Sequence, residues 1–449
     1  MLVESALLYL FGILVAVVGL AVSIALHELG HLVPAKLFGV KVSQYMIGFG
    51  PTLWSRRRGE TEYGFKAIPL GGYVAMAGMF PPAKGEGEGD ERGRTASTGF
   101  FQTLVQDARE VNAESVTLGE EERTFYRLPV YKRIIIMLGG PFMNLVIAVV
   151  LFAIVLCGFG IPQVSTTVGN VNACLLPATS ERQACEPGDP EAPGALAGIM
   201  PGDRIVSING MAIAEWQQAT ELIRTSAGEP LSIVVERDGS QKTLTATPFL
   251  TERYVAAADG SGIATDSQGN PVTEEVGMLG ITAAYETVQQ PATAVLPAVW
   301  ENITRVGQII LNLPQRLVEV AEAAFGPEER DPNGPMSVVG VGRIAGEITS
   351  IDTIPIADRA SNLIGLIGSL NVALLVFNLI PLLPLDGGHV AGALWEGIRR
   401  FFAKLFKRRD PGPVDVTKLI PVTFTVVILL GGMSLLLIYA DIVKPISVL

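Results

Sequence analysis

The chain has 449 residues, 49% hydrophobic and 17% charged, with a formal net charge of −11. This acidic balance, with no basic stripe and no interleaved aromatics, argues against nucleic-acid binding. The apolar excess is gathered into four charge-free runs over residues 5–26, 134–161, 360–385 and 419–440, each long enough to cross a bilayer as a helix, which takes about 20 residues.

The first run has Glu4 as its only nearby charge, no positive leading region and no small-residue cleavage site. It is predicted to be a first span over residues 1–38 and not a signal peptide. The run leads directly into "HELGH", which places His27, Glu28 and His31 in an apolar helix, where ionisable side chains are costly and usually functional. A His-x-x-x-His spacing separates the two imidazoles by about 40° around the helix and about 6 Å along it. Both can then reach one cation at Zn–N distances of about 2.0–2.1 Å. Glu28 stands beside such an ion without ligating it, as a general base acting on a water would. Lys36 marks the expected interface, which puts His27 about 13 Å deeper along the helix.

Residues 39–80 alternate β-prone pieces with the turn signals GFGP, RRGE and PLGG, and predict β-hairpins at the membrane. Residues 81–131 begin with the Gly- and Glu-rich "PPAKGEGEGDERGRTASTG", which predicts partial disorder with one short helix over residues 100–111. A second span follows over residues 132–161; its Cys157 reads as a small buried apolar residue. Residues 163–285 suit a small β-sheet domain with two helices. They contain "PGALAGIMPGDRIVSINGMAI", with an Asn-Gly turn, and "LSIVVERDGSQKTLTATP", a hairpin built on Asp-Gly. Cys174 and Cys185 fall here, and a disulfide between them is expected on the oxidising side of the membrane. Residues 251–276 read as an inserted loop. Across 291–358, Trp300, Ile303, Val306, Ile309, Ile310 and Leu313 recur at helical spacing. That pattern suits either an amphipathic helix at the outer surface or a packed helix of the external domain.

The third span, residues 360–390, ends in "FNLIPLLPLDGGHV". A catalytic zinc needs a third protein ligand and an open position, and two candidates arise here, Asp386 and His389. Asn378 is either an amide that holds a substrate carbonyl or a helix–helix hydrogen-bonding group. Pro381 interrupts the span, and Gly387 and Gly388 let the chain pass close to the ion. A basic loop over residues 391–418 and a fourth span over 419–441 complete the chain. Of 33 Lys and Arg, 14 lie between spans one and two and 7 between spans three and four, against 11 across the long central segment. The first two loops are therefore expected in the cytoplasm, with the central segment and both termini outside. The HELGH end of span one and the Asp386 end of span three then meet at the same side of the membrane.

At these residues a resemblance appears. HELGH in span one and NLIPLLPLDGGH in span three resemble the site-2 protease family of intramembrane zinc metallopeptidases. "GFGPTLWSRRRGETEYGFKAIPLGGYVAMAGM" is similar to its membrane-associated β-loop, "GGPFMNLVIAVV" to its second helix, "GALAGIMPGDRIVSINGM" to its PDZ domain and "NGPMSVVGVGRIAG" to the segment before its third helix. The single PDZ domain points to the actinobacterial regulated intramembrane protease branch, related to the regulator of sigma-E protease. The resemblance implies a polytopic α-helical membrane protein of the plasma membrane. It has four transmembrane helices, a cytoplasmic-side membrane-associated β-loop and one extracytoplasmic PDZ-like α+β domain. It implies Zn2+ held by His27, His31 and Asp386, with Glu28 as catalytic base and acid, Asn378 in substrate binding and His389 not ligating. It implies single-span membrane substrates, anti-sigma-factor-like, cut after a prior extracytoplasmic cleavage. Segments 81–125 and 251–276 match nothing in the family. The competing classes are a metal transporter, which needs further intramembrane acidic or His residues that spans two and four lack, and a non-catalytic PDZ scaffold, which has no use for Glu28.

Overall fold

The computed structural model describes residues 2–79, 121–180, 182, 184–256, 263–266, 268, 270–327, 329–331, 334–414 and 420–446. The short helix expected over residues 100–111 lies outside them. The chain divides into two compact units, one of residues 1–159 with 290–449 and one of residues 160–289.

In the first unit, α1 (Leu2–Leu37) is apolar on all sides until its last turns, the pattern of a helix surrounded by lipid and other helices. A two-stranded sheet follows, β1 (Val42–Arg58) and β2 (Thr61–Met76). Gln44, Tyr45, Met46 and Ile47 pair with Glu62, Tyr63, Gly64 and Phe65 on one side and with Ala75, Val74, Tyr73 and Gly72 on the other. Residues 44–47 are therefore central, and residues 72–76 form an edge that no other described strand extends. The sheet is fastened to α1: the Tyr45 hydroxyl donates to the Ala25 carbonyl at 2.7 Å, and Lys36 Nζ donates to the Tyr63 hydroxyl at 2.7 Å. Next, α2 (Val130–Ala153) crosses α1 backbone to backbone. A Cβ added at Gly30 would stand 2.2 Å from the Gly139 carbonyl oxygen, and one at Gly139 would stand 2.0 Å from that of Gly30. Small residues allow this approach between helices in lipid.

The second unit holds a six-stranded sheet. Its path runs β10 (Ile281–Val288), β3 (Ile161–Val171), β4 (Arg204–Ile208), β6 (Leu231–Arg237) and β7 (Ser240–Ala246), with β5 (Met211–Ala212) beside β4. Asn209-Gly210 joins β4 to β5 and Asp238-Gly239 joins β6 to β7; all four residues have positive φ, as type I′ hairpin turns require. The one-turn helix α3 (Pro193–Leu196) and α4 (Trp216–Thr225) complete a core around Ile205, Ile208, Leu231, Ile233 and Val235. Cys174 and Cys185 are disulfide-bonded. Segment 251–276, expected as a loop, instead has both ends in paired strands, β8 (Phe249–Tyr254) and β9 (Thr273–Met278). Buried Asp203 takes two hydrogen bonds from Arg237, at 2.6 and 2.7 Å, and one from the Met200 amide at 2.9 Å.

From residue 290 the chain belongs again to the helical unit. Helical spacing across 295–325 covers two helices, α5 (Val295–Leu311) and α6 (Leu313–Phe325), divided at Asn312 with Pro314 in the first turn of α6. They are not part of the 160–289 unit: α5 packs on α2 and on α8 (Ile356–Asn378), while Val320 and Ala324 of α6 pack on Leu437 and Ala440 of α10 (Ile420–Val443). Between them α7 (Val338–Ser350) lies against α1 through Ala345 and Ile348. Its N-terminus is held by Asp441, which accepts from the Ser337 and Gly340 amides and pairs with buried Arg330. The third span is not continuous to residue 385. It ends with Asn378, and α9 (Asp386–Leu405) begins after a proline-containing loop. A buried ion pair, Arg133 to Glu396 at 2.5 Å, ties α9 to the start of α2. Four helices among the described residues are long and apolar enough to cross a membrane: Glu4–Leu37, Val130–Phe159, Ile356–Asn378 and Pro421–Val443.

Burial works to raise the Asp203 pKa, but the Arg237 guanidinium and the Met200 amide outweigh it and hold the carboxyl below the ordinary range. A carboxylate whose pKa is lowered by folding stabilises above its unfolded value, about 3.9. That contribution is lost as pH falls through the folded value. Protection of the β4 and β6 amides against hydrogen exchange, relative to the intrinsic rate at each pH, should therefore fall below about pH 4, and Asp203→Asn should lower it at neutral pH and flatten the acid dependence.

Candidate metal centre

His27 and His31 lie one turn apart on α1 and are buried, at 8% and 5% exposure. Their Nε2 atoms are 3.3 Å apart. Asp386 Oδ2 stands 3.3 Å from His27 Nε2 and 3.2 Å from His31 Nε2. Ligands about 2.0–2.1 Å from one tetrahedral zinc would be separated by about 3.3–3.4 Å, so the three donor atoms already form one face of such a site. Asp386 Oδ2 is buried and takes no hydrogen bond despite the two nitrogens beside it. This orphaned carboxylate oxygen, facing two imidazole nitrogens, fits a cation. Among the described residues this trio is the group that could hold a metal ion. His389 lines the same cavity but is outside the trio.

The break after Asn378 positions the carboxylate. Asp386 occupies the first turn of α9, and the loop before it folds back over that turn. A Cβ at Gly387 would stand 2.3 Å from the Ile380 carbonyl oxygen, and one at Gly388 would stand 2.6 Å from the Leu383 nitrogen. The sequence reading took these glycines to admit the ion; their close neighbour is the loop backbone.

The imidazoles are oriented by α2. His31 Nδ1 donates to the Ile136 carbonyl at 2.8 Å, which leaves Nε2 facing Asp386. Asn144, fully buried, stands with Nδ2 3.0 Å from His27 Nδ1. A Cβ at Gly140 would meet His31 Nε2 at 2.3 Å and His27 Nε2 at 2.7 Å, so the lack of a side chain there leaves the donor face open. Sequence reasoning missed Asn144, Gly140 and the Ile136 carbonyl. The available signal was "GGPFMN", an amide and two glycines inside an otherwise apolar span.

A cavity of about 550 Å³ opens beside the trio, lined by Glu28, Asn378 and His389 and by Gly71, Gly72, Tyr73, Val74 and Met76 of the sheet edge. Gly72 is close-packed on Glu28, since a Cβ there would be 3.0 Å from Glu28 Cγ. The Asn378 side chain makes no hydrogen bond to the described residues, although its backbone belongs to α8. The interhelical amide of this span is Asn371, which donates to Ser23 Oγ of α1 at 2.9 Å.

A cation held by two imidazoles and a carboxylate, with a further glutamate alongside, is the donor set of zinc hydrolases, and here it sits among helices apolar enough to cross a membrane. The chain belongs to peptidase family M50, whose model matches residues 15–409. It is 33% identical over 451 residues to zinc metalloprotease Rip1 of Mycobacterium tuberculosis, covering 98% of this chain and 99% of that protein. Over 455 residues it is 33% identical to Rip1 of Mycolicibacterium smegmatis, covering 97% and 98%. Metalloprotease MmpA of Caulobacter vibrioides is 28% identical over 394 residues, covering 85% of each chain. The chain is thus a site-2-type intramembrane zinc metalloprotease.

Two substitutions probe the centre through its zinc content. Asp386→Ala should leave the protein without stoichiometric zinc, because two imidazoles alone make an incomplete site. Gly140→Ala should weaken zinc binding by at least about tenfold, the lower end of what disturbing a ligand's surroundings costs. Full zinc in purified Asp386→Ala, or unchanged zinc affinity in Gly140→Ala, would contradict the assignment.

Proposed function

We propose that this protease hydrolyses a peptide bond in or near the transmembrane helix of single-span substrates, with His27, His31 and Asp386 as the zinc ligands and Glu28 as base and acid. What supports this most directly is one cavity that gathers the candidate ligand trio, Glu28, Asn378 and a strand edge unpaired among the described residues. Zinc, when bound, polarises the scissile carbonyl and makes a water easier to deprotonate. Glu28, one residue from His27, takes that proton and delivers it to the leaving amine. Asn378, whose side chain has no hydrogen-bond partner among the described residues, offers its amide to the substrate backbone.

A helical substrate hides its carbonyls in its own hydrogen bonds and must unwind before it is cut. The edge at residues 72–76 lines the cavity and can receive an extended segment as an added strand. The 160–289 unit has the ingredients of a PDZ-like domain. A groove of about 330 Å³ lies between α4 and β9–β10 residues, lined by Trp216, Thr220, Ile223, Gly280 and Ala283, and β10 is a sheet edge. We place this unit outside the membrane, from the scarcity of Lys and Arg around it. There it excludes substrates whose external domain is still bulky, so that an earlier extracytoplasmic cut is required. Anti-sigma-factor-like proteins fit this description of the substrate.

The test is reconstitution with a single-span substrate. Glu28→Gln should retain zinc and lose about 10²–10⁴-fold in cleavage rate; undiminished cleavage would remove Glu28 from the chemistry. Tyr73→Pro or Val74→Pro should abolish cleavage of a helical substrate while sparing a short unstructured peptide, and equal loss on both would reject strand addition. Deletion of residues 163–285 should permit cleavage of an uncut substrate; simple loss of activity would reject the gate.

A further inference from the structure

Asn144 is fully buried in α2 and is absent from the lining of the catalytic cavity. It is therefore not placed to touch a substrate in that cavity. Its contact is with His27: Nδ2 lies 3.0 Å from His27 Nδ1, while Asn144 Oδ1 has no hydrogen-bond partner among the described residues. A buried polar atom left unpaired in this way calls for an explanation.

Imidazole chemistry supplies one. A neutral ring carries a single proton, and the hydrogen bond made by one nitrogen decides what the other can do. With Nδ2 donating to Nδ1, the proton of His27 is on Nε2, the nitrogen 3.3 Å from Asp386 Oδ2. A nitrogen that ligates a cation must present its lone pair. The ring proton then sits on Nδ1, and that N–H needs an acceptor. For His31 the Ile136 carbonyl is already that acceptor. For His27 the group in place is the Asn144 amide. Amides carry donor and acceptor at nearly equivalent positions, so a turn about the last side-chain bond exchanges Nδ2 for Oδ1.

We propose that Asn144 is a positioning residue of the metal centre, whose amide turns so that Oδ1 accepts from His27 Nδ1–H when His27 Nε2 ligates the cation. Asparagine is suited to this because it serves either ring tautomer. Aspartate serves only the ligating one, and leucine, of similar size, serves neither. The proposal rests on the reading of His27 as a metal ligand.

The experiment measures zinc affinity of the full-length protein in detergent by competition with a chelator, together with melting temperatures of the metal-free forms. Asn144→Leu should weaken zinc binding about 10–100-fold. Asn144→Asp should bind at least as tightly as wild type, and the metal-free Leu variant should melt close to wild type. Wild-type affinity in the Leu variant overturns the proposal, as does equal weakening in Leu and Asp, which would mark a packing role. If the Leu variant does not fold, the Asp variant decides alone: retained or tighter binding supports the proposal, and weakened binding overturns it. Failure of the wild type to bind zinc would overturn the metal-site reading itself, and is distinguishable because it does not depend on Asn144.

Discussion

The metal centre depends on the backbone-to-backbone crossing of α1 and α2 at Gly30 and Gly139. Lipid gives two helices no hydrophobic reason to associate, so close approach of small residues and polar contacts must hold them. At this crossing both occur within a few residues. The glycines remove the side chains that would separate the helices. The same closeness brings the Ile136 carbonyl to His31, Asn144 to His27, and the bare Cα of Gly140 against the donor face. A bulkier residue at the crossing would disturb helix packing and imidazole orientation together.

The second constraint is the interruption of the third span. A carboxylate in apolar surroundings is costly unless paired or ligated. Ending α8 at Asn378 and starting α9 at Asp386 places that carboxylate in a helix's first turn, where backbone N–H groups favour negative charge. In the non-helical stretch between them Leu383 is buried and Pro384 stands on the wall of the cavity. The sheet beside α1 brings its edge at residues 72–76 to the cavity, and no other described strand extends that edge.

The sequence revealed the helices and the imidazole pair most readily, because their signals are local. Four charge-free runs needed only a length criterion, and His27 and His31 declare themselves by being four residues apart in one of them. The third member of the candidate metal site was harder. Asp386 and His389 are three residues apart and adjacent on a helix, so spacing could not choose between them, whereas the fold directs only Asp386 Oδ2 at both imidazoles. Asn144 and Gly140 were illegible for a different reason: their role exists only across the α1–α2 contact, over a hundred residues away in sequence. Local breaks were also missed. Asn312 divides one helical period into two helices, and the Ala-, Gly- and Asp-rich middle of 251–276 concealed β-strands at both of its ends.

The convergence of α1 and the start of α9 on one cation is tested most directly by X-ray absorption spectroscopy at the zinc edge on the purified, zinc-loaded protein. One zinc per chain is expected, with two imidazole nitrogens and at least one oxygen at about 2.0–2.2 Å. A spectrum with three imidazoles, which would bring in His389, or one unchanged by Asp386→Asn, would contradict the structure of this centre.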